Sequence, residues 1–255
     1  MSSASARASE TSAVAKTSVA VIGAGRLGRV LARALVQAGF EVAGPLGRDE
    51  IAPQSDIALL CVPDAEIPDA AAAARSRAGL VGHVSGATTL EHVDLSIHPL
   101  QTFTGTESPE VFSGIGAAVD GRTPDALAAA EALALALGAR PFRVADGDRA
   151  GYHAAASLAS NLVLTVLDAT ERLAADAGLT ADDARDLFTP LVRRAVENWA
   201  ERGARDALTG PIVRGDEETV ERQRAAIDTA APDLLPLFDA LVARTRTIVD
   251  RELVA

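Results

Sequence analysis

One short stretch near the start of the chain limits its fold more than any other. Val19-Ala20-Val21-Ile22 runs directly into Gly23-Ala24-Gly25-Arg26-Leu27-Gly28, and an amphipathic pattern continues to Ala38. An apolar strand, a turn spaced G-x-G-x-x-G and a helix together serve one geometry. Gly23 permits a tight turn, Gly25 leaves room for a ligand beside the backbone, and Gly28 lets the helix lie close to the sheet. The helix start then presents unpaired N–H groups and the positive end of its dipole, which suits phosphate. Gly23, Ala24, Gly25, Arg26, Leu27 and Gly28 are therefore the expected contacts to a pyrophosphate. A turn that packs a helix and holds no ligand is the alternative.

The pattern around this turn repeats. Strands are expected at Ser18–Gly23, Glu41–Ala43, Ile57–Val62, Leu80–Val84, Leu95–His98, Ile115–Val119 and Arg140–Val144. Helices are expected between them at Arg26–Ala38, Asp64–Arg77 and Pro124–Leu137. Strand and helix in alternation predict an α/β fold, a doubly wound parallel sheet with helices on both faces. This Rossmann domain is expected over residues 17–146. After Gly147 the strand signals stop, and Ala150–Ala177, Ala181–Arg202, Glu217–Ala230 and Pro232–Leu253 all read as helices. An all-helical domain is therefore expected over 147–255.

Composition narrows the class. The 255 residues are 48% hydrophobic and 23% charged, enough for a core without disulfide or metal support. Alanine supplies about a fifth of the chain, which favours helices. The net charge of −11 argues against nucleic-acid binding, which needs a basic face. Cys61 is the single cysteine, so neither an internal disulfide nor a cysteine-based metal site is expected. A reducing, cytoplasmic setting fits. Residues 1–16 are rich in Ser and Ala and lack an apolar core, so they are expected to form a disordered tail rather than a secretory signal. No apolar run is expected to reach the roughly 18 residues of a membrane helix. Lys16 is the only lysine, so the body of the protein has none for catalysis.

The end of the second strand bears on cofactor choice. An NAD site wants an acid about 20 residues after the glycines, to hold the ribose 2′-hydroxyl. The chain offers Ala43-Gly44-Pro45-Leu46-Gly47-Arg48 instead, and Arg48 suits a 2′-phosphate. NADP is therefore expected, with NAD as the alternative. Strand ends in such sheets face the ligand crevice, so Val62, Pro63 and Ser85 are expected beside the cofactor. His98 also follows a strand, and a histidine there suits proton transfer at neutral pH.

The first long helix carries a small-polar stripe. At 100° per residue, Ser157 lies about 40° from His153, Ser160 about 20° and Asn161 about 80°. A solvated face would carry Lys, Arg or Glu, so His, Ser and Asn suggest a lined crevice. Small side chains bonded to the previous turn are the alternative. In the loop Gly210-Pro211-Ile212-Val213-Arg214-Gly215-Asp216, Arg214 suits a substrate carboxylate, or else pairs with Asp216.

Together these motifs resemble the Rossmann-like oxidoreductases whose helical C-terminal half is known as a domain of unknown function. That family is related to deazaflavin-dependent NADP oxidoreductases, pyrroline-carboxylate reductases and alternative ketopantoate reductases. The resemblance is carried by Gly23–Gly28, Val62-Pro63-Asp64, His83-Val84-Ser85-Gly86, His98-Pro99-Leu100-Gln101-Thr102-Phe103, Tyr152-His153-Ala154-Ala155-Ala156 with Ser160-Asn161, and Gly210-Pro211 with Arg214-Gly215-Asp216. It implies a helical domain like that of 6-phosphogluconate dehydrogenases, a homodimer, and hydride transfer to or from a small keto- or imino-acid such as ketopantoate; His98-Pro99 also resembles the loop of prephenate dehydrogenases, so a prephenate-like or pyrroline-carboxylate-like dehydrogenase or reductase is the alternative. It also implies that Asn161 orients the substrate oxygen. Wider relatives place a lysine four residues before that Asn, where this chain has Ser157. His153, His98 and Ser157 are then the candidates for moving the proton.

Overall fold

The computed structural model describes residues 17–250. The tail expected over 1–16 and the end of the last helix expected at Leu253 lie outside the described residues. Seven strands form one sheet: β1 (Ser18–Ile22), β2 (Glu41–Leu46), β3 (Ser55–Leu60), β4 (Ala78–His83), β5 (Leu95–Pro99), β6 (Gly116–Gly121) and β7 (Arg140–Arg143). Their spatial order is β2-β1-β3-β4-β5-β6-β7. Every neighbouring pair is parallel except β5 and β6, which are antiparallel. The chain passes from β1 to β2 on one side, then returns beyond β1 to β3. In such sheets the strand ends part at this reversal and leave a crevice beside the carboxyl ends.

Period-two alternation gives the sheet two buried faces. Ile57 and Leu59 of β3 face a core that includes Val30, Leu31 and Leu35 of α1 (Arg26–Gln37) and Ala130 and Leu133 of α3 (Pro124–Ala136). Ala58 and Leu60 face a second core with Ile67, Ala71 and Ala74 of α2 (Ile67–Ala74). The helix expected from Asp64 starts instead as a 3₁₀ turn at Asp64–Glu66, and α2 follows with Pro68 in its first turn.

The single helix expected over 150–177 is two helices, α4 (Arg149–Ala159) and α5 (Asn161–Asp176). Ser160 lies between them with φ −131° and ψ −86°, and its hydroxyl donates to the Ala156 carbonyl at 2.7 Å. A side chain that bonds back to the fourth preceding carbonyl competes with the helix ladder. The stripe of His153, Ser157, Ser160 and Asn161 is therefore not one helix face. The contacts divide the chain after Ser160, so α4 groups with the sheet. The boundary expected at 146–147 falls inside the first unit.

Asp146–Asp176 is long and apolar enough, by composition, to cross a membrane. This corrects the expectation that no run approaches that length. The break at Ser160 divides it into helices of 11 and 16 residues, each short of the roughly 20 that a span needs.

The second unit begins with α5 and continues with α6 (Ala181–Ala207), α7 (Pro211–Arg214), α8 (Glu217–Ala230) and α9 (Leu235–Val249). Thr180 caps α6 by accepting from the Asp183 N–H, and Asp216 caps α8 by accepting from the Thr219 N–H. Gly203 breaks α6 at φ 76°, one residue past the expected end at Arg202. Few apolar side chains are buried here: Ala169, Ala174, Ala184, Val220, Ile227, Ala231 and Val242. Leu162, Leu164, Leu187, Leu191, Val196 and Trp199 are exposed.

Candidate functional site

The glycine turn forms as its spacing predicts. The Ile22 carbonyl accepts from the Cys61 N–H at 2.7 Å, and the Gly23 N–H donates to the Leu46 carbonyl at 2.8 Å. The turn is thus tied to both neighbouring strands. Gly23 has φ +115°, and a Cβ there would stand 2.3 Å from the Cys61 carbonyl oxygen. A Cβ on Gly28 would stand 1.9 Å from the Gly23 carbonyl oxygen. Packing alone therefore requires both glycines. Gly25 is different, because a Cβ there would meet nothing within 4 Å.

Gly25 is also the N-cap of α1, with no side chain bonded to the helix start and no acid in its first turn. The first N–H groups of this helix are left for an outside acceptor. They open on a cleft of about 780 Å³, lined by Gly23, Ala24, Gly25, Arg48, Val62 and Pro63 among others. Six expected cofactor residues thus share one cavity. Arg26 and Leu27, the first two residues of α1, do not line it. Ser85 does not line it either. Its hydroxyl donates to Asp64 Oδ2 at 2.9 Å and accepts from the Ala87 and Thr88 N–H groups at 3.1 and 3.0 Å. Ser85 therefore ties the loop after β4 to the loop after β3.

Glu50 and Glu66 are lining residues that the sequence alone does not point to, whereas Cys61, which also reaches the cleft, stands at the strand end expected beside the cofactor. Glu66 pairs with Arg48 at 2.6 Å, and the Arg48 side chain is 78% exposed. Glu50 accepts from the Gly47 N–H. Burial pushes the Cys61 thiol up to about 12, so it stays protonated at neutral pH.

A second cluster stands at the carboxyl ends of β4 and β5, on the same sheet edge as the glycine turn. His98 Nδ1 lies 2.7 Å from the Tyr152 hydroxyl, with the rings edge to face at 5.6 Å between centroids. His153 lies 6.0 Å from His98, also edge to face. Gly86 closes against both rings: a Cβ there would stand 2.8 Å from His153 Cδ2 and 2.9 Å from His98 Nδ1. Phe142 backs Tyr152 at 5.9 Å. The structure thus unites His98 with His153 and adds Tyr152, whose pairing no periodicity reveals.

The electrostatics follow from burial. His98 is pushed down to about 4, first by burial, then by the neighbouring His153 and the Arg149 guanidinium. Burial raises Tyr152 to about 12 against the opposing effect of Arg149. His83 is fully buried and lowered for the same reason, and its Nε2 is 3.1 Å from the Thr89 carbonyl. Arg149 is also buried, donating to Asp146 Oδ1 at 2.8 Å and to the Ser96 hydroxyl.

The remaining candidates make none of these contacts. Ser157 is half-buried on α4. Asn161 opens α5 in the second unit and is exposed. Arg214 ends α7, is exposed, and makes no ion pair among the described residues. The alternative Arg214–Asp216 pair does not form, because Asp216 caps α8 instead.

No curated protein matches the chain. Solved structures match its fold. A Bacteroides fragilis protein whose name proposes an NADP oxidoreductase is 21% identical, with a TM-score of 0.77 over 93% of this chain and 100% of that one. A Thermotoga maritima protein is 22% identical, with a TM-score of 0.72 over 91% and 98%. Pyrroline carboxylate reductase of Plasmodium falciparum, solved with NADP bound, is 11% identical, with a TM-score of 0.56 over 92% and 98%. The sequence signature of a family described as a domain of unknown function, DUF2520, matches residues 115–245. That is more than half of the chain, from β6, the strand antiparallel to β5, to the last helix, and the chain belongs to the DUF2520 family.

Proposed function

We propose that the protein is an NADP-dependent oxidoreductase acting on a small keto- or imino-acid, with ketopantoate the first substrate to try. The observation that carries this reading is Gly25. Packing explains Gly23 and Gly28, whereas Gly25 stands in open space at an uncapped helix start, the place where a pyrophosphate would approach the backbone. The names of the Bacteroides and Plasmodium proteins support NADP as that ligand.

The chain's own residues have separable tasks in this reading. The N–H groups at the start of α1 hold the pyrophosphate. Arg48 leaves Glu66 to pair with the 2′-phosphate. When bound, the nicotinamide supplies or accepts the hydride. His98 and His153 serve the proton side of the reaction, with Ser157 beside His153 on α4. From the helical unit, Asn161 and Arg214 are the candidates for holding the substrate's oxygen and carboxylate. The exposed apolar side chains of α5 and α6 favour a homodimer, since the unit buries little of its own apolar surface.

A non-catalytic NADP-binding module is the second reading. Ser157 favours it, because wider relatives have lysine there. Steady NADPH consumption with ketopantoate or another 2-keto acid supports the enzyme. Tight NADPH binding with no consumption across keto acids and cyclic imines supports the module.

A further inference from the structure

We propose that Tyr152 is the positioning residue for His98, locking its ring in the Nε2–H form so that His98 acts as a neutral hydrogen-bond donor to a substrate carbonyl oxygen. This rests on the oxidoreductase reading and narrows it to keto substrates.

The geometry leaves the ring little freedom. Tyr152 bonds Nδ1 at 2.7 Å, Gly86 abuts the same edge, and His153 stands across from it. Nε2 makes no hydrogen bond among the described residues, and His98 is only half-buried. A phenol is the better donor and an imidazole nitrogen the better acceptor, so the O–H donates to Nδ1 and the second proton resides on Nε2. The groups around the pair keep both partners neutral. His153 and Arg149 disfavour an imidazolium, Asp64 opposes them weakly, and His83 is itself held down. Tyr152 stays a phenol.

A neutral imidazole that only donates polarises an oxygen without first having to give up a full proton. It suits a carbonyl oxygen, which accepts. It does not suit a protonated imine, whose nitrogen carries its own N–H. The same ring edge thus separates keto acids from iminium acids.

The test is nitrogen NMR of the full chain labelled at histidine, with His98 assigned by its loss in His98→Gln. In the unsubstituted protein, Nδ1 should be bare and Nε2 protonated at neutral pH, and this state should persist well below the ordinary histidine range. In Tyr152→Phe the ring should become a mixture of tautomers and titrate closer to that range. A proton on Nδ1 in the unsubstituted protein overturns the proposal, and so does an unchanged tautomer in Tyr152→Phe. The first of these results needs no variant, so a poorly folded Tyr152→Phe does not remove the test. Fluorescence titration of both proteins with NADPH separates the two readings. Equal binding by both is expected, since Tyr152 does not line the nucleotide cleft. Binding by neither contradicts the oxidoreductase reading whatever the tautomer. With a keto acid that turns over, Tyr152→Phe should lower kcat about 10- to 100-fold and change KM little.

Discussion

Gly28 packs directly on Gly23: a Cβ on Gly28 would stand 1.9 Å from the Gly23 carbonyl oxygen, whereas one on Gly25 would meet nothing. Two substitutions of the same kind should therefore fail differently. Gly28→Ala forces the helix off the turn and should cost about 3 kcal/mol of stability. Gly25→Ala should change stability by less than about 0.5 kcal/mol yet weaken NADPH binding at least tenfold, because the methyl takes the phosphate's place. Urea unfolding and fluorescence titration, run on both variants, check the split.

Arg48 and Glu66 give a test of cofactor choice. Arg48→Ala should weaken NADPH binding by about 1.5–3 kcal/mol, the range for a hydrogen bond to a charged group, and leave NADH binding nearly unchanged. Glu66→Gln frees Arg48 from an exposed pair worth at most about 1 kcal/mol, so NADPH should bind up to about fivefold more tightly. An equal effect of Arg48→Ala on both nucleotides would remove the arginine from the 2′-phosphate.

The Asp146–Arg149 ion pair, buried only on its arginine side, should respond asymmetrically. Asp146 accepts from Arg149 and from the Leu90 N–H, and Arg149 is 2% exposed. Asp146→Ala strands a buried cation and should cost about 3 kcal/mol. Arg149→Met leaves a half-exposed carboxylate and should cost only about 1 kcal/mol. Thermal and urea unfolding of the two variants would show the order.

Stability should fall in mild acid. His98 titrates near 4 when folded, against an ordinary value of 6.5. Between these values the unfolded chain binds a proton that the folded chain refuses, so the contribution is full above pH 6.5 and is lost as pH falls toward 4. The loss is on the order of 2–3 kcal/mol. His83 shifts the same way and adds to it. Lowered carboxyls such as Glu107 and Glu110 act only further down, toward pH 2. His98→Gln should flatten the slope between pH 6.5 and 4 in urea unfolding followed at a series of pH values.

The strand–turn–helix of residues 19–38 was legible because three glycines and an apolar run serve local geometry. All seven strands were legible from short strand patterns alternating with helical ones, although periodicity carries no direction and so did not reveal that β6 turns antiparallel to β5. The break at Ser160 was not legible. Ala150–Ala177 has unbroken helical composition, and the hydroxyl that competes for the Ala156 carbonyl belongs to one of two serines there. Tyr152 stood in the right motif, but its partner His98 is 54 residues away, and only the packing of α4 on the sheet joins them. Glu66 was read as part of a helix start. Its reach to Arg48 depends on how the loops after β2 and β3 face each other across the crevice.

The proposed dimer has its own test. Leu187 and Leu191 lie one turn apart on α6, and both are exposed. Replacing both with glutamate should shift the protein from dimer to monomer in sedimentation velocity. A monomer before substitution would contradict the dimer without touching the nucleotide site.

The most direct measurement is a fluorescence titration of the purified chain with NADPH and with NADH. Saturable NADPH binding, at least tenfold tighter than NADH, is the result predicted by the open Gly25 and by Arg48. Failure to bind either nucleotide would contradict the account at its centre, leaving the glycine turn a packing device.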